Sequence, residues 1–231
     1  LRITIVQLNF TGGDIEGNVG RLVAAAQQAA GEQADLVVFG ELSLCGYDPG
    51  DMLEESGFQQ RIEAGIAALQ QASAELPQLH WVVGAPTPAH GPGKKLHNSL
   101  LVLQGGAARL QYAKQLLPTY HIFDERRHFE PGPDVAQVLR VGSAQVGLLV
   151  CEDGWNDHGG DYVINPFERL RDAAPDLVIS INASPSHVGK REQRHQIFGG
   201  SSRRHGLPIL YVNQVGGHDQ HHGVGQPVPY K

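Results

Sequence analysis

Residues 36–42 read L-V-V-F-G-E-L: four apolar side chains in succession, then a glycine and a glutamate. An unbroken apolar run of this length belongs to a strand covered on both faces, since a strand with one wet face would alternate. The same layout, an apolar strand ending abruptly in a polar and reactive residue, recurs twice. Residues 110–118 read L-Q-Y-A-K-Q-L-L-P and place Lys114 just past a strand. Residues 146–155 read V-G-L-L-V-C-E-D-G-W and place Cys151 directly after one. Open α/β sheets form their ligand crevices at the carboxyl ends of strands, so Glu41, Lys114 and Cys151 are expected to converge.

Outward from these runs, strands are expected at 2–8, 80–85, 176–181 and 207–213, and helices at 18–30, 55–74, 165–173 and 190–205. Two hairpins interrupt the alternation. One joins 96–103 to 107–112 through Gly105-Gly106, and the other joins 135–141 to 145–150 through Gly142-Ser143. Hairpins exclude a purely parallel doubly wound sheet, so a mixed α/β sheet with helices on its faces is expected. No internal repeat or interior linker divides the chain. Residues 1–217 are read as one domain and 218–231, rich in chain breakers, as a mobile tail or the remnant of a longer chain.

The 231 residues are 41% hydrophobic and 18% charged, with a net charge of −6. This is a globular balance, and it offers no basic surface for nucleic acid or anionic membrane. No apolar run approaches the roughly 20 residues that span a bilayer. Two cysteines are too few for a disulfide framework in a chain of this length, so free thiols and a cytoplasmic setting are expected. The start lacks an initiator Met, and the first residue or two are taken to be missing from the sequence.

The three strand-end residues have complementary chemistry. A thiol is mostly protonated at neutral pH, and attack requires a base or a cation beside it. A glutamate can take the proton, and a lysine ammonium favours the thiolate and the oxyanion that follows. The backbone N–H of Glu152 is the second expected oxyanion donor. Taken singly, a buried cysteine is more often an inert small hydrophobe, and a strand-end Glu or Lys is usually the first solvated loop residue.

Longer matches narrow the choice. F-G-E-L-S-L-C-G-Y at 39–47, Y-A-K-Q-L-L-P-T-Y-H-I-F-D-E-R-R-H-F at 112–129 and L-L-V-C-E-D-G-W at 148–155 resemble the glutamate, lysine and cysteine motifs of the nitrilase, or carbon–nitrogen hydrolase, superfamily. With N-A-S-P at 182–185 and V-N-Q-V-G-G at 212–217, the pattern is most similar to the glutaminase domain of glutamine-dependent NAD synthetase. The resemblance implies an αββα sandwich that hydrolyses the side-chain amide of L-glutamine. It also implies a homo-oligomer that passes ammonia to an ATP-using synthetase domain. By the same resemblance Tyr120, Ser184 and Lys190 hold the substrate, Glu152 and Tyr47 supply an amine contact and a wall, and Glu125 assists Lys114. The glutaminase chemistry calls for no metal or cofactor; ATP and Mg belong to the synthetase domain.

The chain carries no S-G-G-x-D-S pyrophosphate loop, so these residues cannot activate a substrate with ATP. It is therefore either the glutaminase domain of a longer protein or a free-standing amidase acting on another small carboxamide. A catalytically silent regulatory domain is a further alternative. A Cys–His–acid amidotransferase fits poorly, because Val150 and Glu152 crowd an elbow that needs small residues. Metal capture by His218, His221 and His222 would lack partner cysteines and a rigid frame.

Overall fold

The computed structural model describes residues 1–218, 221–223 and 228–230. Two five-stranded mixed sheets are formed. The first contains β1 (Ile3–Ile5), β2 (Leu36–Val38), β3 (His80–Pro88), β4 (Leu96–Gln104) and β5 (Ala107–Ala113), in that spatial order. The second, in the order β12-β9-β8-β7-β6, contains β6 (Val138–Val141), β7 (Ala144–Val150), β8 (Leu177–Asn182), β9 (Ile209–Asn213) and β12 (Val228–Tyr230). Strands β1, β2 and β3 run parallel, β4 runs antiparallel to β3, and β5, antiparallel to β4, resumes the direction of β3. In the second sheet β7, β8 and β9 run parallel, with β6 and β12 antiparallel at its edges.

Period-two alternation sorts the apolar strand residues into two layers on each sheet. Leu36, Val38, Val82, Leu100 and Val102 of the first sheet pack against Leu148, Val150, Ile179, Ile181 and Val212 of the second. The alternate residues Val37, Phe39, Trp81 and Val83 face α1 (Ile15–Gly31) and α2 (Ser56–Ala74). On the far side, Leu149, Val178 and Ile209 face α4 (Pro166–Ala173) and α5 (Lys190–His205) through Phe167, Leu170 and Phe198. A single turn, α3 (Glu125–His128), lies in the loop after β5. The layers are thus helix, sheet, sheet, helix, the expected αββα sandwich. This explains why the L-V-V-F run has no polar face.

Element ends differ from expectation by a few residues, each for a local reason. Helix α1 begins at Ile15 because the Asp14 side chain accepts the Gly17 N–H and caps it. Buried positions Ile15, Asn18, Leu22, Ala26 and Ala29 then follow helical spacing. The turn between β4 and β5 uses Gly105 and Gly106 at φ +56° and +84°, a conformation that side chains with a Cβ resist. At the start of the 218–231 segment, β10 (Gly216–His218) runs into it and pairs with β11 (His221–Gly223), and β12 pairs with β9. The remaining residues of that segment, and the side chains of His218, His221 and His222, lie outside the described residues.

The topology decides where the site can be. Strands β2, β3 and β5 share one direction in their sheet, as do β7, β8 and β9 in theirs. The chain therefore leaves β2 at Glu41, β5 at Lys114, β7 at Cys151 and β8 at Ser184, and these exits meet at one end of the sandwich.

Candidate active site

Glu41 and Lys114 form an ion pair at 2.8 Å with both side chains fully buried. Lys114 Nζ also lies 2.7 Å from Glu125 Oε1. Asn98 Nδ2 donates to Glu41 Oε1 at 2.8 Å, and the Ala183 N–H donates to Glu41 Oε2 at 2.9 Å. Two sheets thus hold one carboxylate, since Asn98 lies on β4 and Ala183 follows β8. Asn98 faces Lys114 across the β4–β5 ladder, where the Lys114 N–H donates to the Asn98 carbonyl at 2.8 Å.

The charges of Glu41 and Lys114 both reach the Cys151 thiol. Burial pushes that thiol well above its ordinary value, Glu41 pushes it further, and Lys114 opposes them. The resting group is therefore a protonated thiol. Burial pulls the Lys114 ammonium down, but Glu125 and Glu41 more than offset it and hold Lys114 charged.

Cys151 sits at φ +43°, in the left-handed region, where a non-glycine residue costs about 1–3 kcal/mol. A buried carboxylate keeps it there. Asp153 Oδ2 accepts the Val150 N–H at 3.1 Å and the Tyr112 hydroxyl at 2.8 Å. Asp153 Oδ1 accepts the N–H groups of Gln115 and Leu116 at 2.9 and 2.8 Å. One side chain therefore ties the turn that carries the cysteine to the strand end that carries the lysine.

Above the thiol lies a cavity of about 360 Å³ lined by Cys151, Glu152, Tyr120, Ser184, Lys190 and Trp155, among others. Lys190 Nζ stands 3.8 Å from the centroid of the Trp155 ring. Burial lowers its pKa, the Arg194 charge lowers it further, and the Glu152 charge acts against them. The Glu152 carboxylate accepts the Tyr120 hydroxyl at 3.0 and 2.9 Å. Ser184 is held by Asn213, which accepts its N–H at 2.8 Å, and by Arg194, which donates to its carbonyl at 2.8 Å.

All nine residues singled out in the sequence gather around the cavity or in the ion cluster beneath it. Tyr47 departs from its expected role. It is buried beneath the cavity and donates its hydroxyl to Glu125 Oε1 at 3.0 Å, behind the site instead of along its wall. Sequence reasoning missed Asn98, Asp153, Trp155, Tyr162 and Arg194. Asn98 left one signal, a polar stretch His97-Asn98-Ser99 opening the strand L-H-N-S-L-L-V-L at 96–103, whose remainder is apolar.

A thiol held at a strained strand end, with a buried acid–lysine pair below and a charged cavity above, is an arrangement suited to cysteine hydrolase chemistry on an αββα sandwich. The chain belongs to the carbon–nitrogen hydrolase family, whose model matches residues 2–228. It is 37% identical over 225 residues to the glutamine-dependent NAD(+) synthetase of Synechocystis, covering 94% of this chain and 40% of that protein. To the protein of the same name from Xanthomonas campestris it is 36% identical, covering 95% of this chain and 38% of that one. The structure of glutamine-dependent NAD+ synthetase from Acinetobacter baumannii superposes with a TM-score of 0.88 at 31% identity, over 99% of this chain and 41% of that one. An amidase from Nesterenkonia shares the fold, with a TM-score of 0.83 at 21% identity. The chain thus spans about two fifths of the length of the curated relatives it matches.

Proposed function

We propose that this chain is the glutaminase domain of a glutamine-dependent NAD synthetase. It releases ammonia from L-glutamine through a Cys151 thioester and supplies an ATP-using synthetase domain outside these 231 residues. One observation carries the reading: the cavity over Cys151 sets the Glu152 carboxylate and the Lys190 ammonium into one lining. Those two charges complement the α-ammonium and α-carboxylate of an amino acid whose side-chain amide reaches the thiol. The names of the relatives at 36–37% identity support the same substrate.

The geometry accounts for each step. Glu41 has four acceptor sites, and Lys114, Asn98 and the Ala183 N–H use three of them. The fourth, on Oε2, takes the thiol proton as Cys151 Sγ attacks the carboxamide carbon. Lys114 spends two of its three N–H donors on Glu41 and Glu125 and keeps one for the oxyanion, beside the Glu152 N–H. The C–N bond breaks as protonated Glu41 gives its proton to departing ammonia. Water, deprotonated by the same carboxylate, then attacks the thioester, and the C–S bond breaks to restore the thiol and release glutamate.

None of these steps requires a metal or cofactor, and ATP and Mg are assigned to the synthetase domain. On this reading the enzyme works in the cytoplasm as a homo-oligomer and acts on neither nucleic acid nor membrane. Among the described residues no helix is long and apolar enough to cross a membrane.

The test is turnover of L-glutamine by the intact protein, with glutamate and ammonia measured together. Cys151→Ala is expected to abolish both products, and an electrophilic glutamine analogue should add its mass at Cys151 of the unsubstituted protein. Persistent hydrolysis in Cys151→Ala would remove the thioester route. Preference for a simple aliphatic amide would favour the free-standing amidase, and no turnover of either would favour the silent domain.

A further inference from the structure

Residues 156–165, between the turn that carries Cys151 and α4, fold around a single side chain. Asn156 Oδ1 accepts the N–H groups of Gly160, Asp161 and Tyr162 at 3.3, 3.2 and 3.3 Å. Asn156 Nδ2 donates to the carbonyls of Tyr162 and Ile164 at 3.1 and 2.8 Å. Asp157 fastens the loop to the body of the domain: it accepts from Asn165 at 3.1 Å, and Arg204 and His205 of α5 each reach it at 2.6 Å. The backbone of Tyr162 is therefore held by both its N–H and its carbonyl. Its hydroxyl donates to Glu152 Oε1 at 3.0 Å, on the carboxylate that Tyr120 reaches from a different loop.

We infer that Tyr162 is a positioning residue for substrate choice: with Tyr120 it fixes the Glu152 side chain as the acceptor for the α-ammonium of an amino-acid amide. The inference rests on the glutaminase reading. Burial pushes the Glu152 carboxyl up, the Lys114 charge pulls it down, and the two phenol donors add to that pull without cancelling the rise. Burial and the Glu152 charge also keep both phenols protonated, so they remain donors. Among the described residues Tyr120 shares its single proton between Oε1 and Oε2 and Tyr162 gives its proton to Oε1, so Oε1 is the more heavily occupied oxygen. Oε2 keeps acceptor capacity for an ammonium.

The experiment compares the intact protein with its Tyr162→Phe and Asn156→Ala variants on two substrates: L-glutamine, and the same amide without the α-amino group, 5-amino-5-oxopentanoate. Loss of one hydrogen bond to a charged group should raise KM for L-glutamine about tenfold in Tyr162→Phe. The loss should fall on KM instead of kcat, and KM for the des-amino amide should move less than about twofold. The acid limb of the KM–pH profile for glutamine should also move to higher pH, because Glu152 loses a donor that favours its charge. Asn156→Ala should shift the same quantities in the same direction; if it fails to fold, the Tyr162→Phe comparison decides alone. An equal loss on both amides, or an unchanged KM and acid limb for glutamine, would overturn the role of Tyr162 and leave the glutaminase reading standing. Absence of glutamine turnover in the unsubstituted protein would remove both.

Discussion

Lys114 Nζ lies 2.8 Å from Glu41 Oε1 in a setting where neither side chain touches solvent. A second carboxylate, Glu125, stands 2.7 Å from the same ammonium and is 5% exposed. Taking ions out of water costs several kcal/mol each, and apolar replacements of equal volume are often at least as stable. Stability is therefore a poor reason for this cluster. Under the proposed mechanism its use is chemical: a base and an oxyanion donor held in fixed register, where solvent cannot screen the developing charge.

Lys114→Met separates the two roles. It leaves Glu41 and Glu125 buried without a counter-charge, a loss of about 3–5 kcal/mol by analogy with broken buried pairs. Losing the oxyanion donor should lower turnover by a further factor of about 10²–10³. Urea unfolding at pH 7 and single-turnover kinetics measure the two separately. An unchanged urea midpoint would show that the carboxylates find other partners.

Glu125 gives a pH signature. Burial pushes its carboxyl up from the ordinary 4.5 to about 7, Lys114 pulls it down, and Glu41 adds to the rise. A carboxyl whose folded pKa is raised contributes stability that is complete below its unfolded pKa and is lost as pH rises through the folded one. Stability should therefore fall between about pH 4.5 and 7. Glu125→Gln keeps the shape of the protonated form and cannot titrate, so it should flatten that fall. Some slope remains, because burial also raises Asp153, to about 6. Melting temperatures from pH 4 to 8 on both proteins check this, and parallel curves would count against it.

The sandwich was legible because its signals are local. L-V-V-F and V-G-L-L-V announce covered strands, the two-residue turns announce hairpins, and a reactive residue at each strand exit announces the site. What escaped reading is held together across the chain. Asn98 reaches Glu41 from 57 residues away, and Asp153 reaches Gln115 from 38 away, with nothing in either neighbourhood to mark the partner. Tyr47 shows the limit from the other side. Its motif placed it near the site, but only the packing of its ring decides that it faces Glu125 instead of the cavity. Tyr162 lay in a loop rich in Asp, His and Gly, whose rigidity comes from one asparagine.

Asp153 should be among the least replaceable residues outside the cavity. Asp153→Ala strands three backbone N–H groups and a buried phenol, each costing about 1–3 kcal/mol, so several kcal/mol in sum. Asp153→Asn should be milder. The amide oxygen can still serve Gln115 and Leu116, and the Tyr112 hydroxyl can turn to accept. Only the Val150 N–H then meets a donor, a loss of about 1–3 kcal/mol. Urea midpoints should rank the unsubstituted protein above Asn and Asn above Ala. If Asn proved as damaging as Ala, the charge of Asp153 would matter more than its acceptor geometry.

Gly84→Ala is expected to disable the site without touching any reacting group. Gly84 lies in β3 directly beneath the turn that carries Glu41, where its carbonyl accepts the Leu44 N–H at 3.0 Å. A Cβ there would stand 2.3 Å from the Leu42 nitrogen and 2.6 Å from the Gly40 carbonyl oxygen. Both are backbone atoms, so no rotamer change relieves the clash, and residues 40–42 must lift. Leu42 sits at φ +47°, which leaves that turn little freedom to adjust. Overpacking of this kind costs about 1–3 kcal/mol. Displacing Glu41 by even 1 Å should slow acyl transfer on the order of 10²-fold. Turnover should therefore fall far more than the melting temperature, and the mass added at Cys151 by the electrophilic analogue should accumulate more slowly. A Gly84→Ala protein with full turnover would mean that Glu41 does not depend on close contact with β3 for its position.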